Sequence, residues 1–390
     1  MNALWILLVV TFVESLATIL VERGAYFFTQ QQLGFSPAAN LWMAFAFGLA
    51  YAAGAVISHP IARRHGERAV LVGTLAARVG LLTLLGLIWG QAWAVVVLLT
   101  LLGLLSGAKW PIIESYVSAG RAPESVGRAI GRFNVSWALA VPISMFLAGP
   151  LIASSKPWLL FALPAGLTVV SILLCIPMPS RPAHLAVNDP QRPPEMQLRR
   201  MRSLLTGSRW MHLCSYGMMW VLAALMPTVY ERLEVQRQFS SGLAGVLDFC
   251  RLGVFILLQA WAGWHFRLRY LTIAMAALPL GFALVLYGPN LALVLAGEAL
   301  FGVAAGMVYY SALYYGMVVS NAAVEGGGTH EGLIGAGFAL GPACALAGML
   351  MPGLGSAAVL AGVGTMFVAC LSGALVHLRR AGTSRRAAGS

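Results

Sequence analysis

Charged residues are what this sequence has least of. Asp, Glu, Lys and Arg make up 10% of its 390 residues, hydrophobic types make up 59%, and the mean hydropathy is +0.81. An ordinary soluble domain carries about 25% charged residues, so a water-soluble globule of this length would lack the polar surface to cover it. Acidic residues are scarcest: thirteen Asp and Glu stand against twenty-five Lys and Arg, for a net charge of +12. That excess does not indicate nucleic acid. Nucleic-acid binders gather basic residues on one face of a soluble domain, whereas here they fall in short gaps between apolar runs.

Other absences narrow the reading. The five cysteines (Cys175, Cys214, Cys250, Cys344 and Cys370) lie in or beside apolar runs, and none forms a C-x-x-C pair. Neither a thiolate metal centre nor a disulfide framework is indicated; the cysteines read as small packing residues. There is no G-x-x-x-x-G-K-[ST] loop, so this chain supplies no nucleotide-driven motor. His59, His65, His265 and His330 fall in four separate places, and no catalytic cluster or cofactor is expected. The opening MNALWILLVV has no Lys or Arg before its apolar run and no small-residue cleavage site, so the first run is expected to stay as a helix.

What the chain does have is apolar length. A helix needs about 20 apolar residues to cross a bilayer core. Twelve such segments are expected, at 4–28, 40–58, 69–90, 92–118, 128–152, 156–177, 208–230, 240–263, 269–288, 290–320, 331–352 and 356–378. This is an all-α membrane protein with twelve transmembrane helices, numbered here as spans 1 to 12. Residues 178–207 are rich in Pro and Arg and read as a cytoplasmic linker. They divide an N-terminal six-helix bundle (1–177) from a C-terminal one (208–378), which a short cytoplasmic tail (379–390) follows.

With both termini placed in the cytoplasm, eighteen of the twenty-five Lys and Arg fall on the inner side. Three (Lys156, Arg232 and Arg237) fall outside, and Arg23, Arg78, Lys109 and Arg251 lie within spans. The asymmetry is the positive-inside pattern and fits a multi-pass protein of a bacterial-type plasma membrane, in contact with lipid and working as a monomer. The halves also repeat. Gly107 in span 4 has its counterpart in Gly306 of span 10, 199 residues later, and Pro142 in span 5 its counterpart in Pro342 of span 11, 200 residues later.

These features resemble the major facilitator superfamily. Its loop between spans 2 and 3 reads G-x-L-x-D-R-x-G-R-R. Here His59-Pro-Ile-Ala-Arg-Arg-His-Gly-Glu-Arg68 keeps Arg64, Gly66 and Arg68 and has Arg63 where the family has Asp. Span 4 keeps the family's glycine and proline spacing in Gly103, Gly107 and Pro111, and span 11 carries Gly335, Gly337, Gly341 and Pro342. The Gly-Pro exporter motif of span 5 is reduced to Pro142. The resemblance implies two pseudo-symmetric six-helix bundles, a central cavity lined by spans 1, 4, 7 and 10, and secondary active transport of a small organic solute by alternating access, coupled to protons. A non-transporting receptor or scaffold on the same fold, or an exporter rather than an importer, are the alternatives.

Ionisable residues inside a membrane are expensive and mark cavities or mutual pairs. Thr11, Glu14, Thr18, Glu22 and Tyr26 share one face of span 1. They are expected to line the cavity, with Glu14 and Glu22 either carrying protons or pairing with Arg78 or Lys109. Lys109 either meets an anionic group of the solute, pairs with Glu114 or snorkels to the interface. Glu298, Tyr310 and Tyr314 of span 10 are cavity candidates, although such tyrosines also serve as packing. Asp248 and Arg251, three apart on span 8, suit a structural or gating ion pair, with a solute-binding arginine as the alternative. His330 and Glu331 open the segment 331–352, but residue 334 is Ile, so the H-E-x-x-H zinc pattern is broken and no metal is expected. Thr329 reads as a helix N-cap with Glu331 in the first turn, or His330 as a pH sensor.

Overall fold

A computed structural model describes residues 3–121, 123–183, 195–320 and 324–387. In span order, α1 (Ala3–Glu22) and α2 (Gly24–Leu33) form span 1, α3 (Pro37–His65) span 2, α4 (Glu67–Leu87) span 3 and α5 (Ala92–Ser118) span 4. Span 5 is α6 (Pro123–Ala153), span 6 is α7 (Leu159–Cys175) and span 7 is α8 (Glu195–Arg232). Then α9 (Arg237–Leu243) and α10 (Val246–Ala260) form span 8, α11 (Leu268–Tyr287) span 9, α12 (Leu291–Ser320) span 10, α13 (Val324–Met349) span 11 and α14 (Ala358–Ala387) span 12. Among the described residues, eleven spans are long and apolar enough to cross a membrane, and α7, at 17 residues, is the shorter twelfth.

The ends of these helices follow local chemistry. Gly34, in the left-handed region, closes α2. Ser36 then caps α3, its hydroxyl accepting from the Ala39 N–H at 3.2 Å, and Pro37 occupies the first turn, where no N–H is needed. Two expected boundaries move. The α8 helix starts thirteen residues before 208 because Leu198, Met201, Leu204 and Leu205 recur at helical spacing and are buried, while Glu195 pairs with Arg199 and Arg202 on the outer face. It takes up the second half of the expected linker, whose residues 184–194 lie outside the described ones. The α13 helix likewise starts seven residues before 331. Thr329 is therefore inside the helix and is not an N-cap. The α14 helix runs on through Ala387, into the stretch expected as a tail.

Lipid-facing and protein-facing helices separate by burial. In α8, 89% of the most apolar stretch is buried, against 28% in α4 and 33% in α14. Span 7 is thus central and spans 3 and 12 are peripheral. Large apolar side chains such as Trp42, Phe146 and Leu350 stand exposed on the outer wall, which is favourable only where the surrounding solvent is hydrocarbon. The two six-helix halves meet along two seams, α3 against α13 and α6 against α9 and α10. Small residues make the first seam close. A Cβ at Gly48 would overlap the Ala339 backbone nitrogen, and one at Gly335 would overlap that of Ala52.

Candidate functional site

Span 1 is the spine of the site. Its Glu14 is fully buried and accepts a hydrogen bond from Lys109 Nζ at 2.8 Å. Lys109 also donates to the Thr18 hydroxyl, and its Nζ lies 4.8 Å from the Trp110 ring centre. Arg78 of α4 donates to Ser106 and, at 3.2 Å, to Thr18, while Ser106 donates to Glu22. Arg78 also stands 3.9 Å from both Glu14 and Glu22. Two carboxylates and two cations thus cancel within one buried knot, the arrangement that makes such charges tolerable away from water. Lys109 neither pairs with Glu114 nor snorkels. Five residues along an α-helix turn a side chain about 140° away, so Glu114 cannot follow Lys109 to the same partner.

A second cluster joins the two halves. Arg23, at the break between α1 and α2, donates to Asp248 of α10. Asp248 also pairs with Arg251 at 2.8 Å, and the Arg251 guanidinium sits 4.7 Å over the Trp137 ring. Two cations share one carboxylate, leaving one positive charge in excess. The expected Asp248–Arg251 pair is present, and its third member comes from the other half of the chain.

Between the clusters lies a cavity of about 90 Å³. Thr18, Glu22 and Arg23 of span 1 border it, together with Trp110 and Glu114 of span 4, Trp137 of span 5, Tyr216 and Trp220 of span 7, Arg251 of span 8 and Tyr309 of span 10. Tyr51 of α3 and Glu331 and Phe338 of α13 complete the wall. Trp220 and Phe338 stack with ring centres 3.6 Å apart. The halves touch in the cavity wall and beyond it. In the wall at one end, the Tyr51 hydroxyl of α3 donates to Glu331 of α13. At the opposite end, Gln30 donates to Glu231 and accepts from Thr228 at 3.1 Å, and Ser241 donates to the Met145 carbonyl at 2.7 Å.

Several expected cavity residues stand elsewhere. Lys109 lies behind the wall, one hydrogen bond from Thr18, and Glu14 lies one bond further, on Lys109. Tyr26 packs edge-on against Trp220. Glu298 accepts from the Tyr230 hydroxyl and from the Leu247 N–H at 3.3 Å, away from the cavity. Tyr310 and Tyr314 pack against Trp264. They face away because the residue of this run that borders the cavity is Tyr309, and each helical step turns the side chain by about 100°. Hydropathy alone did not single out Tyr51, Trp137, Trp220 or Phe338; aromatic residues on opposite spans reveal a shared wall only once the helices are packed.

The Major Facilitator Superfamily model matches residues 4–345. The chain belongs to that superfamily. Among solved structures, the human organic anion transporter MFSD10 (TETRAN) is similar over 96% of this chain and 97% of its own, with a TM-score of 0.63 at 13% identity. The nucleoside transporter NupG (D323A mutant) is similar over 98% of this chain and 100% of its own, with a TM-score of 0.66 at 13% identity. No curated protein sequence matches the chain. At this identity the likeness is one of fold; membership of the superfamily, matched over residues 4–345, makes the chain a membrane transporter.

The superfamily's loop between spans 2 and 3 keeps a definite geometry here. Gly66 has φ 84°, a value that favours glycine, and turns α3 into α4. Arg68 donates to the carbonyls of Ile176 and Met178 at 3.1 and 2.7 Å, tying the loop to the end of α7. Arg64 is exposed. Arg63, in the place of the usual Asp, uses its carbonyl to accept from Arg181 at 3.2 Å.

Proposed function

We propose that the chain is a secondary active transporter that moves a small organic solute by alternating access, coupled to proton movement. The observation that carries this reading is a cavity between the two halves to which each half contributes buried charge, with contacts between the halves on either side of it. Rocking one half against the other would have to break Arg23–Asp248 and the Gln30–Glu231 contact on one side, or Tyr51–Glu331 on the other. Glu22 borders the cavity, and Glu14 lies two hydrogen bonds behind it, through Lys109 and Thr18, so both can exchange protons with its contents. Protonation of either cancels one charge of a balanced knot and frees a cation to seek another anion. The local positive charge of the Arg23–Asp248–Arg251 cluster, set among tryptophans, favours an acidic group and a flat apolar part of a solute on that side of the cavity, while Glu114 and Glu331 make the other side acidic. The uneven loop charges favour a plasma membrane with both termini in the cytoplasm, and the cavity is lined by residues of one chain, which supports a working monomer.

Uptake into proteoliposomes tests the reading. Accumulation of an aromatic acid is expected when the lumen is alkaline and is expected to collapse with a protonophore. Glu14→Gln should abolish the pH-driven component and leave solute counterflow intact. If neither a pH gradient nor counterflow moves any acidic or zwitterionic solute, the transport reading fails and a receptor on this fold takes its place.

A further inference from the structure

The two charged knots leave one buried cluster unused. Glu114 of α5 faces His330 and Glu331 of α13, and one donor atom from each lies within 4.8 Å of the other two. All three residues are buried. Among the described residues no lysine or arginine forms a salt bridge with Glu331. The His330 Nε2 atom is buried without a hydrogen-bond partner, although the residue is only 2% exposed. A neutral imidazole nitrogen left unpaired beside two carboxylates is a ligand awaiting a cation.

We propose that Glu114, His330 and Glu331 form a binding site for one divalent first-row transition metal. Two carboxylates and one imidazole are a mixed oxygen and nitrogen set suited to Mn²⁺, Co²⁺ or Zn²⁺. Three donors bonded to one ion at about 2.0–2.2 Å stand about 3.3–3.8 Å from one another. From within 4.8 Å, the widest pair therefore closes by about 1 Å, which side-chain rotation supplies. An ion of charge +2 balances the two carboxylates, which border the cavity and have no lysine or arginine in salt-bridge contact. The surrounding groups hold the ligands in position. The Tyr51 hydroxyl donates to Glu331, and the His330 ring stacks on His212 with centres 4.4 Å apart and planes 19° from parallel. The ligands also come from both halves of the chain, Glu114 from the first and His330 with Glu331 from the second. A bound ion would therefore clamp α5 to α13 and hold that end of the cavity closed. Spacing along the sequence misses the site because its third ligand lies more than two hundred residues from the other two.

The test is cobalt titration of the purified full-length protein in detergent, read by visible absorption and repeated with Mn²⁺ and Zn²⁺ by thermal shift. One saturable Co²⁺ per chain is expected, with loss of the absorption band in Glu331→Gln, His330→Asn and Glu114→Gln. Tyr51→Phe keeps all three ligands and should weaken binding about 10–100-fold, as removal of a ligand's supporting hydrogen bond does elsewhere. Size-exclusion elution identifies any variant that fails to fold, and three ligand variants leave at least one readable. No saturable binding by the wild-type protein overturns the proposal. So does a band that survives unchanged in folded His330→Asn or Glu114→Gln. A cluster that answers to pH and to no metal is a proton site, and the proposal then also fails. The readout is binding to purified protein, so it stands or falls apart from solute transport.

Discussion

Lys109 and Glu14 show what a buried charge demands at the scale of one residue. Each is sealed from solvent, and each has its partner 95 positions away in sequence. Removing one partner leaves the other charge uncompensated, which costs about 3–5 kcal/mol, whereas replacing both by apolar residues of similar size is often close to neutral. Here the double replacement also leaves Arg78 facing Glu22, so the remaining knot stays balanced. Lys109→Met alone should therefore lower the thermal unfolding midpoint sharply, and Glu14→Leu with Lys109→Met should recover most of the loss. A double-mutant cycle on detergent-purified protein measures this; additive losses would mean that the two side chains do not support each other. The sequence made the expense of these residues legible, since a lysine and a glutamate in apolar runs must be satisfied somewhere. It did not tell which partner answers which, because partners on different spans leave no mark at helical spacing. Lys109 and Glu114 looked adjacent along the chain and point to different neighbours in space.

At the scale of elements, glycine decides how close two helices come. Gly103 and Gly107 of α5 lie against the backbone of α3, and Gly302 of α12 lies against that of α10. Gly103 and Gly302 are 199 positions apart, as are Gly107 and Gly306, so the same small-residue contact recurs in each half. The seam between halves depends on Gly48 and Gly335, where an added Cβ would strike the facing backbone. Gly335→Val should force α13 from α3 and open the cavity at its Tyr51 end. In a background without native cysteines, Ala55→Cys should then react with a maleimide several-fold faster than with Gly335 intact. An unchanged rate would show that this seam does not gate access. Helix existence was legible from apolar length, but two starts were not. The extensions of α8 and α13 consist of residues too polar to count as membrane spans. Helix formation there depends on burial of a few side chains such as Met201 and Leu205, which is a tertiary effect.

For the whole molecule, topology was the most legible property. Twelve apolar runs, an uneven distribution of arginine and a 199-residue echo were sufficient for two six-helix halves. The cavity was less so, because hydropathy fixes where a helix crosses and says little about how it is rotated about its axis. Tyr309 borders the cavity while Tyr310 and Tyr314 pack outside it, a distinction of single residues. Orientation can be tested directly. A fluorescent protein fused after Ser390 should fold and fluoresce, and alkaline phosphatase fused within residues 154–158 should be active. The reverse pair of results would invert the assignment of cytoplasmic and external faces.

The charge knot also bears on how the chain is made. Glu14 and Glu22 leave the ribosome on the first span, whereas Arg78 and Lys109 follow on the third and fourth. At roughly 5–20 residues per second, the 95 positions between Glu14 and Lys109 take about 5–20 s to synthesise. Until then the first span holds two acidic groups, and a lone aspartate at a helix centre costs about 2.5–3.5 kcal/mol on the insertion scale. The helix that carries Glu14 and Glu22 therefore reaches its charge-balanced packing only after the spans that follow it are made, so the order of synthesis and the order of assembly are different sequences of events.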